Sequence, residues 1–351
     1  MSDGLDSVFQ GSTPIVRKQK ESQRPVLVID TAQFFFTARY TMIKQVLEHR
    51  RFDFIPEDMK EQQNPAEETF FEAVEMFNHL FVSELISVVS RFQPDHVVLA
   101  GESGSWRKKA FWDESTQTTL YKANRLKDRE EDDFDWGRFF EEVGKFQEDL
   151  KEIFPFVFVK CHEAEGDDIV ASVVFHLAEQ DIDMDIIVVS RDKDFKQLLM
   201  KPRVKLYNQY DKKFVECENP REDLLAQILL GDSTDGIPNV RRPRDSLVLG
   251  TPCGKGEKLG EKTVWKAITE HAVEKTILVD EKTRKRFEEN KLLIDLSKIP
   301  DRIQHNVVKT YLAEREKLET KSSRKLLEYL AEKRMQNLIG RFHLFEKLFK
   351  R

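Results

Sequence analysis

One stretch of the sequence, residues 156–195, constrains the fold more than any other. It begins with FVFVK, an apolar run of strand length, and it contains a second such run, IIVVS, at 186–190. Between them, Ile169, Val173 and Leu177 belong to a set of apolar residues with the spacing of one helix face. A strand, a helix and a strand joined by short links predict a parallel pair with a right-handed crossover, and therefore an α/β fold.

Acidic residues follow both strands of this unit. Glu165, Asp167 and Asp168 come after the first strand, and Asp192 and Asp194 come after the second. Ligands of open parallel sheets bind beyond the carboxyl ends of the strands. Clustered carboxylates repel one another, and oxygen ligands without nearby His or Cys favour Mg²⁺ or Mn²⁺. The alternative is that each cluster caps a helix in a solvated turn, where acids are also favoured.

Further acids extend the pattern. Asp30 ends the apolar run PVLVID, and Asp232 and Asp235 lie in a turn after a helix that is predicted to end at Gly231. Asp192 and Asp194 would point the same way in an extended turn. Asp232 and Asp235 are one helical turn apart. Such a set of carboxylates can hold two divalent ions about 3.5–4 Å apart, as in nucleases and phosphatases.

Composition limits the other possibilities. The chain has 351 residues, of which 40% are hydrophobic and 34% are charged, and a net charge of −6, so any basic surface must be local. Its three cysteines form no CxxC pair and suit a reducing cytosol. We found neither a signal peptide nor an apolar stretch long enough to cross a membrane, and we expect a soluble intracellular protein.

The remaining segments are predicted as follows. Residues 1–24 are a polar, disordered arm. Helices cover about 34–48 and 70–92, a loop covers 53–69, strands cover 96–100 and 204–208 with a possible hairpin partner in KKFVEC, and most of 281–351 is helical.

Two segments mix basic residues with other signals. Residues 101–150 interleave aromatic and basic residues, which can track a phosphate backbone and stack bases, or can fold back onto the core through Trp106 and Trp112. Residues 241–258 are rich in Arg, Lys, Gly and Pro, and GTPCGKGEK at 250–258 raises the alternative of a P-loop NTPase. Only three residues separate its first two glycines, and Lys255 is followed by Gly, so the P-loop pattern is not met.

Five motifs together resemble the structure-specific 5′ nuclease family of flap endonucleases, the 5′-nuclease domain of bacterial DNA polymerase I and phage 5′ exonucleases. They are YKANR (121–125), EAEGDD (163–168), SRDKDF (190–195), GDSTDGIP (231–238) and GEKT (260–263). Their order and spacing are those of the family. The insertion before GEKT and the helical C-terminal region are most similar to the RNase H members from T-even bacteriophages.

The resemblance implies a fold and a domain organisation. The fold would be α/β, with a mainly parallel central sheet flanked by helices (PIN-like 5′-nuclease fold). The nuclease domain would cover 25–230, with an arch over the active site at about 101–150. A helical, DNA-binding C-terminal domain would cover 231–351 and would include a helix–three-turn–helix element at about 231–271.

The resemblance also implies roles for the acids and for two basic residues. A tightly held ion would be bound by Asp30, Glu165, Asp167 and Asp192. A second ion would be bound directly or through water by Asp168, Asp194, Asp232 and Asp235. Lys122 and Arg125 would face the scissile phosphate, and their spacing would put them on one helix face. Both ions would be Mg²⁺, which Mn²⁺ could replace.

The chain departs from the family at one corner of the site. Ala100 occupies the position at the end of the second strand where the family has an Asp. Glu102 is two residues further on and has a longer side chain, so it is a candidate replacement ligand. The departure also motivates an alternative function, that of a catalytically impaired protein of the same fold that binds DNA structures.

Nucleic-acid contacts and partners complete what the resemblance implies. The helix–three-turn–helix element would grip the duplex backbone, with a K⁺ ion, and the substrate would be duplex DNA or an RNA–DNA hybrid with a 5′ flap or nick. The contact residues would be Arg107, Lys108, Arg241, Arg242, Lys255, Lys258, Gly260, Lys262 and Thr263. The protein would be a monomer in the cytoplasm of a bacterial host, with no membrane contact. It would remove RNA primers and flaps during phage-type DNA replication, with a single-stranded-DNA-binding protein and a polymerase clamp as partners.

Overall fold

The structure is a computed structural model. It describes residues 24–48, 65–114, 117–123, 135–180, 183–254 and 256–349. The predicted N-terminal arm and most of the predicted loop at 53–69 therefore lie outside the described residues.

The strands of the described residues form two sheets. They are β1 (Val26–Asp30), β2 (Val97–Gly101), β3 (Trp112–Asp113), β4 (Thr118–Thr119), β5 (Val157–Lys160), β6 (Ile186–Val189), β7 (Val204–Asn208) and β8 (Lys213–Phe214). The central sheet has the order β5-β2-β1-β6-β7-β8, and β3 pairs with β4 in a separate hairpin. All neighbouring pairs of the central sheet are parallel except β7 and β8. The hairpin partner predicted in KKFVEC is therefore confirmed as β8.

The strand order changes direction beside β1, because the chain builds β1, β2 and β5 outward on one side and β6, β7 and β8 on the other. Crevices at such points bind ligands in open α/β sheets. The predicted parallel pairing of the strands at 156–160 and 186–190 is wrong in one respect. β5 and β6 run parallel in one sheet, but β2 and β1 lie between them. The connecting helix packs over these two inner strands, so it covers them as it crosses.

Some helices of the described residues cover the two faces of the central sheet, and others pack beside it. The helices are α1 (Thr31–Met42), α2 (Pro65–Phe92), α3 (Trp106–Ala110), α4 (Trp136–Glu152), α5 (Gly166–Glu179), α6 (Pro220–Leu230), α7 (Glu261–Thr269), α8 (Val273–Thr276), α9 (Glu281–Ile294), α10 (Asp301–Lys317), α11 (Ser323–Glu332), α12 (Gln336–Ile339) and α13 (Phe342–Phe349). A π-helical segment, Ile43–Glu48, continues α1, and 3₁₀ turns cover Lys193–Met200, Ser233–Asp235, Leu296–Lys298 and Leu318–Thr320. The predicted first helix begins three residues earlier than expected, because Asp30 caps it directly after β1. The second begins at Pro65, inside the predicted loop.

Alternate residues of the buried strands supply two hydrophobic clusters. Leu27 and Ile29 of β1 face one cluster with α1, α2 and α4, whereas Val26 and Val28 face the other with α5. The C-terminal helices contribute to both clusters: Leu326 of α11 packs into the first, and Val307 of α10 packs into the second. A smaller cluster joins α6, α7 and α8. The C-terminal helices are therefore part of the same packed body as the sheet, and the domain boundary at residue 230 stays a prediction.

One helix, Glu67–Phe92, is long and apolar enough to cross a membrane by length and composition alone. No such stretch was expected from the sequence, and that expectation is corrected. The helix is α2, whose Phe77, Phe81 and Leu85 are buried in the first cluster. Core helices pass the same test, and these side chains account for its apolar composition.

Candidate active site

The carboxyl ends of β1, β2 and β6 bring acidic residues to one side of the sheet. Asp30 is the last residue of β1, Glu102 follows β2, and Asp192 lies three residues beyond the end of β6. Glu165 and Asp167 lie at the start of α5, which follows β5. Together with Asp194, Asp232 and Asp235, these residues are called the acid edge below.

Asp30 uses its two oxygens differently. Oδ1 accepts a hydrogen bond from the backbone N–H of Ala32 at 3.1 Å and so caps α1, and Oδ2 accepts one from Ser190 Oγ at 2.8 Å. Burial raises the pKa of Asp30 to about 6, and the charges of Asp192 and Glu102 add to the shift. Helix capping and membership of the acid cluster are therefore compatible for this residue.

Asp167 lies among the other acids of the edge. Burial raises the pKa of Asp167 well above its usual range, and the charges of Asp192, Asp30 and Glu165 raise it further. The charge of Lys122 opposes these effects. Three acid-bearing segments therefore act electrostatically on a single carboxyl group.

Glu165 is held by three donors. Lys122 Nζ donates to Oε1 at 2.7 Å, and Arg107 Nη1 and the Tyr121 hydroxyl donate to Oε2 at 3.0 and 3.1 Å. Burial acts to raise the pKa of Glu165, but the charges of Lys122 and Arg107 outweigh it and lower the pKa below its usual value. Glu165 is therefore ionised and fixed in orientation.

Asp168 is fully buried and has both oxygens occupied. Arg107 Nη1 donates to Oδ1 at 2.7 Å, and the backbone N–H of Glu165 donates to Oδ2 at 2.9 Å. The second contact is half of a capping box at the start of α5. The expectation that Asp168 is a ligand of the second ion is therefore corrected: its oxygens fix Glu165 and Arg107.

Asp192 interacts electrostatically with three other acids of the acid edge. It is exposed, and its charge raises the pKa of Asp30 and of Asp167. Burial and the charge of Asp192 together raise the pKa of Asp194 to about 7. The predicted extended turn is wrong, because Asp192 caps the 3₁₀ turn Lys193–Met200 and Asp194 lies inside it. The two carboxylates still interact, and Gln227 Nε2 donates to Asp194 Oδ1.

Asp232 and Asp235 lie in a tight turn after α6. Asp232 caps the 3₁₀ turn Ser233–Asp235, and Lys193 Nζ lies 2.9 Å from its Oδ2. Gly231 ends α6 with φ 72°, and a Cβ there would lie 2.3 Å from the Ile237 carbonyl oxygen. A side chain at this position would clash with the backbone, so only glycine fits the corner that leads into the turn.

Lys122 lies beside the acids but not on a helix. Its Nζ is 2.7 Å from Glu165 Oε1 and 3.8 Å from Asp235 Oδ2, and its backbone N–H donates to the Asp235 carbonyl oxygen at 2.8 Å. The predicted helix face is wrong for this residue, because its φ is 55° in a bend. Arg125 lies outside the described residues.

Glu102 and Ala100 occupy different positions beside Asp30. Ala100 is the register partner of Asp30 in the β1–β2 pair and is buried. Glu102 is exposed, and a Cβ on Gly166 would lie 3.9 Å from Glu102 Oε1 and 3.7 Å from Asp30 Oδ1. The Glu102 carboxylate therefore reaches the start of α5 beside Asp30, where a replacement ligand would have to be.

The predicted nucleic-acid contacts divide into buried and accessible residues. Arg107 is 2% exposed and donates only inward, so its expected contact with nucleic acid is corrected. Arg241 and Arg242 are half-buried, and Lys255 lies outside the described residues. The exposed residues are Lys108, Lys258, Gly260, Lys262 and Thr263. Residues 241–263 are called the basic segment below.

The structure bears on the alternatives that the sequence left open for segments 101–150 and 250–258. Trp106 is 6% exposed and packs into the core, as one alternative predicted. Trp112 is 49% exposed, so its side chain is accessible, as the other alternative requires. In the described part of 241–260 the chain forms turns, without the strand that precedes a P-loop. The P-loop alternative is therefore wrong.

Several residues at the site were not predicted from the sequence. Ser190 donates to Asp30, and Tyr121 donates to Glu165. Gln227 donates to Asp194, and Lys193 donates to Asp232. Ser190 and Lys193 flank Asp192 in SRDKDF, and Tyr121 begins YKANR, so position in a motif was the available signal. Gln227 is distant in sequence from Asp194, and no local pattern points to it.

Comparisons with known proteins agree with this architecture. The family profile of the 5′-3′ exonuclease N-terminal resolvase-like domain matches residues 25–224, and that of the T4 RNase H C-terminal region matches residues 218–345. The ribonuclease H of Enterobacteria phage T4 is 30% identical over 212 residues, which is 60% of this chain and 66% of the phage protein. The match thus spans just under two thirds of that relative.

Two solved structures share the fold. A T5 5′-exonuclease with bound zinc ions has a TM-score of 0.55 and 16% identity, over 83% of this chain and 100% of that chain. The T5 D15 protein co-crystallized with metal ions has a TM-score of 0.53 and 17% identity, over 83% of this chain and 99% of that chain. The predicted fold class, a mainly parallel sheet flanked by helices with a helical C-terminal region, is confirmed. Because the first family profile covers more than half of its length, the chain belongs to the 5′-3′ exonuclease family.

Proposed function

We propose that this protein is a divalent-metal-dependent nuclease that hydrolyses phosphodiesters near the 5′ ends of RNA or DNA strands at duplex or flap junctions. The observation that carries the proposal is the convergence of carboxylates from five chain segments on the acid edge. Asp30 and Asp167 both respond to the charge of Asp192, and Glu102 reaches the same point beside Gly166. Membership of the 5′-3′ exonuclease family supports the same reaction class.

The donor set fits hard divalent cations. Within the described residues, no three His, Cys, Asp or Glu side chains are close enough to hold an ion as they stand. Lys122 and Lys193 instead lie against Glu165 and Asp232. Burial raises the pKa of Asp30, Asp167 and Asp194, and the charges of neighbouring carboxylates raise it further, so bound dications would favour the ionised forms. We infer that an ion bound at these carboxylates would take the place of the lysine contacts.

We assign the ligands by segment. Asp30, Asp167, Asp192 and Glu165, with Glu102, would hold the first ion, and Asp194, Asp232 and Asp235 would hold the second. Mg²⁺ is the expected ion and Mn²⁺ its replacement, since both prefer carboxylate oxygens. When bound, such ions lower the pKa of a coordinated water and stabilise charge on the attacking and leaving oxygens.

The remaining residues of the site orient the substrate. Lys122 would donate to the scissile phosphate, for which it is well placed because its ammonium lies within 3.8 Å of two acid-bearing segments. Burial acts to lower the pKa of Lys122, but Glu165, Asp167 and Asp235 outweigh it and raise the pKa, so the charge persists. Arg125 would share this role.

The basic segment would hold the duplex backbone. Lys258, Lys262 and Thr263 are exposed around Gly260, which is the N-cap of α7. Arg241 and Arg242, at the start of the segment, are half-buried. Phosphate contacts of this kind are independent of sequence. Lys108, Arg241, Lys255 and a K⁺ ion at the helix–three-turn–helix element belong to the same proposal.

The similarity to the ribonuclease H of phage T4 supports a proposal for the biological role. We assign the protein to the removal of RNA primers and flaps during phage-type DNA replication, in the cytoplasm of a bacterial host. The substrate would be duplex DNA or an RNA–DNA hybrid with a 5′ flap or nick. A single-stranded-DNA-binding protein and a polymerase clamp would be its partners, and the enzyme would act as a monomer.

The test is cleavage of 5′-labelled flap, nicked and RNA–DNA substrates with Mg²⁺, with Mn²⁺ and with EDTA. The proposal requires cleavage near the 5′ end that depends on the ion. The alternative, a catalytically impaired DNA-structure binder, is favoured by Ala100, which places no carboxylate opposite Asp30. Tight binding of the flap substrate with no cleavage in either metal would establish that alternative.

A further inference from the structure

The end of α9 contacts three acid-bearing parts of the chain. Asn290 lies in the last turns of this helix and is 1% exposed. Its Nδ2 donates to the carbonyl oxygens of Ile228 at 3.0 Å and of Pro238 at 2.8 Å. These two residues flank the turn that contains Asp232 and Asp235, so one side-chain amide ties the two ends of that turn together.

A second buried amide links the same helix end to the 3₁₀ turn that contains Asp194. Gln197 is 6% exposed, and its Nε2 donates to the Ile294 carbonyl oxygen at 3.1 Å. Its Oε1 accepts from the backbone N–H of Leu296 at 2.8 Å. The last carbonyls of an α-helix have no partner within the helix, so Gln197 supplies one that the helix end needs.

Arg107 makes the third link. Its Nε donates to the Leu293 carbonyl oxygen at 3.0 Å, and its Nη1 donates to Glu165 and Asp168. A guanidinium is suited to this position, because the C-terminal end of a helix carries partial negative charge. Arg107 therefore connects the end of α9 to the start of α5.

We infer that residues 290–296 set the relative positions of the acid-bearing segments, and that Arg107, Gln197 and Asn290 are positioning residues for the metal ligands. The inference rests on the proposed function for the identity of those ligands. It gives the C-terminal region a second role beyond nucleic-acid contact. Groups that orient metal ligands typically change metal affinity or activity by about 10–100-fold when they are removed.

The test uses replacements of similar size, Asn290→Leu and Gln197→Met, together with Arg107→Met and the conservative Arg107→Lys. Three quantities are measured for each: the affinity for Mn²⁺ alone, the single-turnover cleavage rate at saturating enzyme, and the duplex dissociation constant in Ca²⁺. We expect Mn²⁺ affinity and rate to fall by about tenfold or more, and duplex binding to change by less than about threefold. Arg107→Lys keeps the charge and should lie between Arg107→Met and the unaltered protein.

The matched control is Leu326→Ala, which removes a buried side chain of α11 in the opposite hydrophobic cluster. If Asn290→Leu and Gln197→Met resemble this control in Mn²⁺ affinity and rate, residues 290–296 serve stability alone and the inference is overturned. These two variants also decide the matter if Arg107→Met does not fold. If the unaltered protein cleaves no substrate, the proposed function fails, and the Mn²⁺ titrations alone decide the inference.

Discussion

The acid edge and the basic segment differ in how the chain holds their side chains. Carboxylates of the acid edge meet donors that are far away in sequence, as when Ser190 donates to Asp30 and Gln227 donates to Asp194. The basic segment contains contacts between near neighbours in sequence, such as Thr251 with Asp245 and Gly254 with Glu257. Two contacts reach further, from Arg241 to Thr276 and from Lys282 to Glu257, and Lys258 and Lys262 are exposed. Chemistry on a phosphodiester needs fixed groups, whereas contact with a phosphate backbone needs accessible positive charge. The comparison predicts that changes at the acid edge alter rate and that changes in the basic segment alter affinity.

Replacing Lys122 should produce the largest separation of the two effects. Lys122→Ala removes a preorganised donor to the scissile phosphate, so the single-turnover rate should fall roughly a hundred- to a thousand-fold, or about 2.7–4 kcal/mol. The dissociation constant measured in Ca²⁺ should change much less. Arg125→Ala should behave in the same way. Equal losses in rate and binding would instead assign Lys122 and Arg125 to contacts with the nucleic-acid backbone.

Replacing Glu102 should have a smaller effect that depends on metal concentration. Glu102→Gln keeps the shape of the side chain but weakens it as a ligand, so we expect roughly a tenfold lower rate at limiting Mg²⁺ and partial recovery at high Mg²⁺. Glu114→Gln, an exposed change of the same charge, is the control. Ala100→Asp would place a carboxylate in register with Asp30, where it would either add a ligand or crowd the site. Identical Mg²⁺ titrations for Glu102→Gln and the unaltered protein would remove Glu102 from the site.

Neutralising the basic segment should change the salt dependence of binding and leave the saturated rate unchanged. Lys258→Ala with Lys262→Ala should flatten the slope of log affinity against log salt by about one unit for each lost contact. Lys309→Ala with Lys325→Ala removes the same charge from exposed positions outside residues 231–271. A slope that responds equally to both pairs would show only the effect of net charge.

The smallest effect concerns stability without divalent ions. The folded pKa values of Asp30 and Asp194 are about 6 and about 7, above the ordinary value of 3.8. The folded state therefore binds protons more tightly than the unfolded state, and this stabilisation is lost as the pH rises through 6 and 7. In EDTA the melting temperature should fall by a few degrees between pH 5.5 and pH 7.5, and Asp194→Asn should reduce that fall. A melting temperature that rises over this interval in EDTA would contradict the account.

The acidic residues of the site and the residues that position them differ in how far the sequence predicted them. Strand ends and acidic motifs were visible as local patterns, so the positions of Asp30, Glu165 and Asp192 at one edge followed from parallel strands. Arg107 was misassigned, because a basic residue in an aromatic segment gives no sign of burial. The contacts of Asn290 and Gln197 join residues about 60–100 positions apart, and such contacts arise from tertiary packing that no local period encodes.

The central claim is that the acid edge binds two divalent ions, and Mn²⁺ binding to the unaltered protein and to Asp192→Asn tests it most directly. Asp192 acts on Asp30, Asp167 and Asp194, so its loss should affect both ion positions. Asp211→Asn, which changes an exposed acid on the β7–β8 turn, is the control. We predict two Mn²⁺ per chain in the unaltered protein and in Asp211→Asn, and at least a tenfold loss of affinity with loss of cleavage in Asp192→Asn. Equal Mn²⁺ binding by all three proteins would contradict the claim.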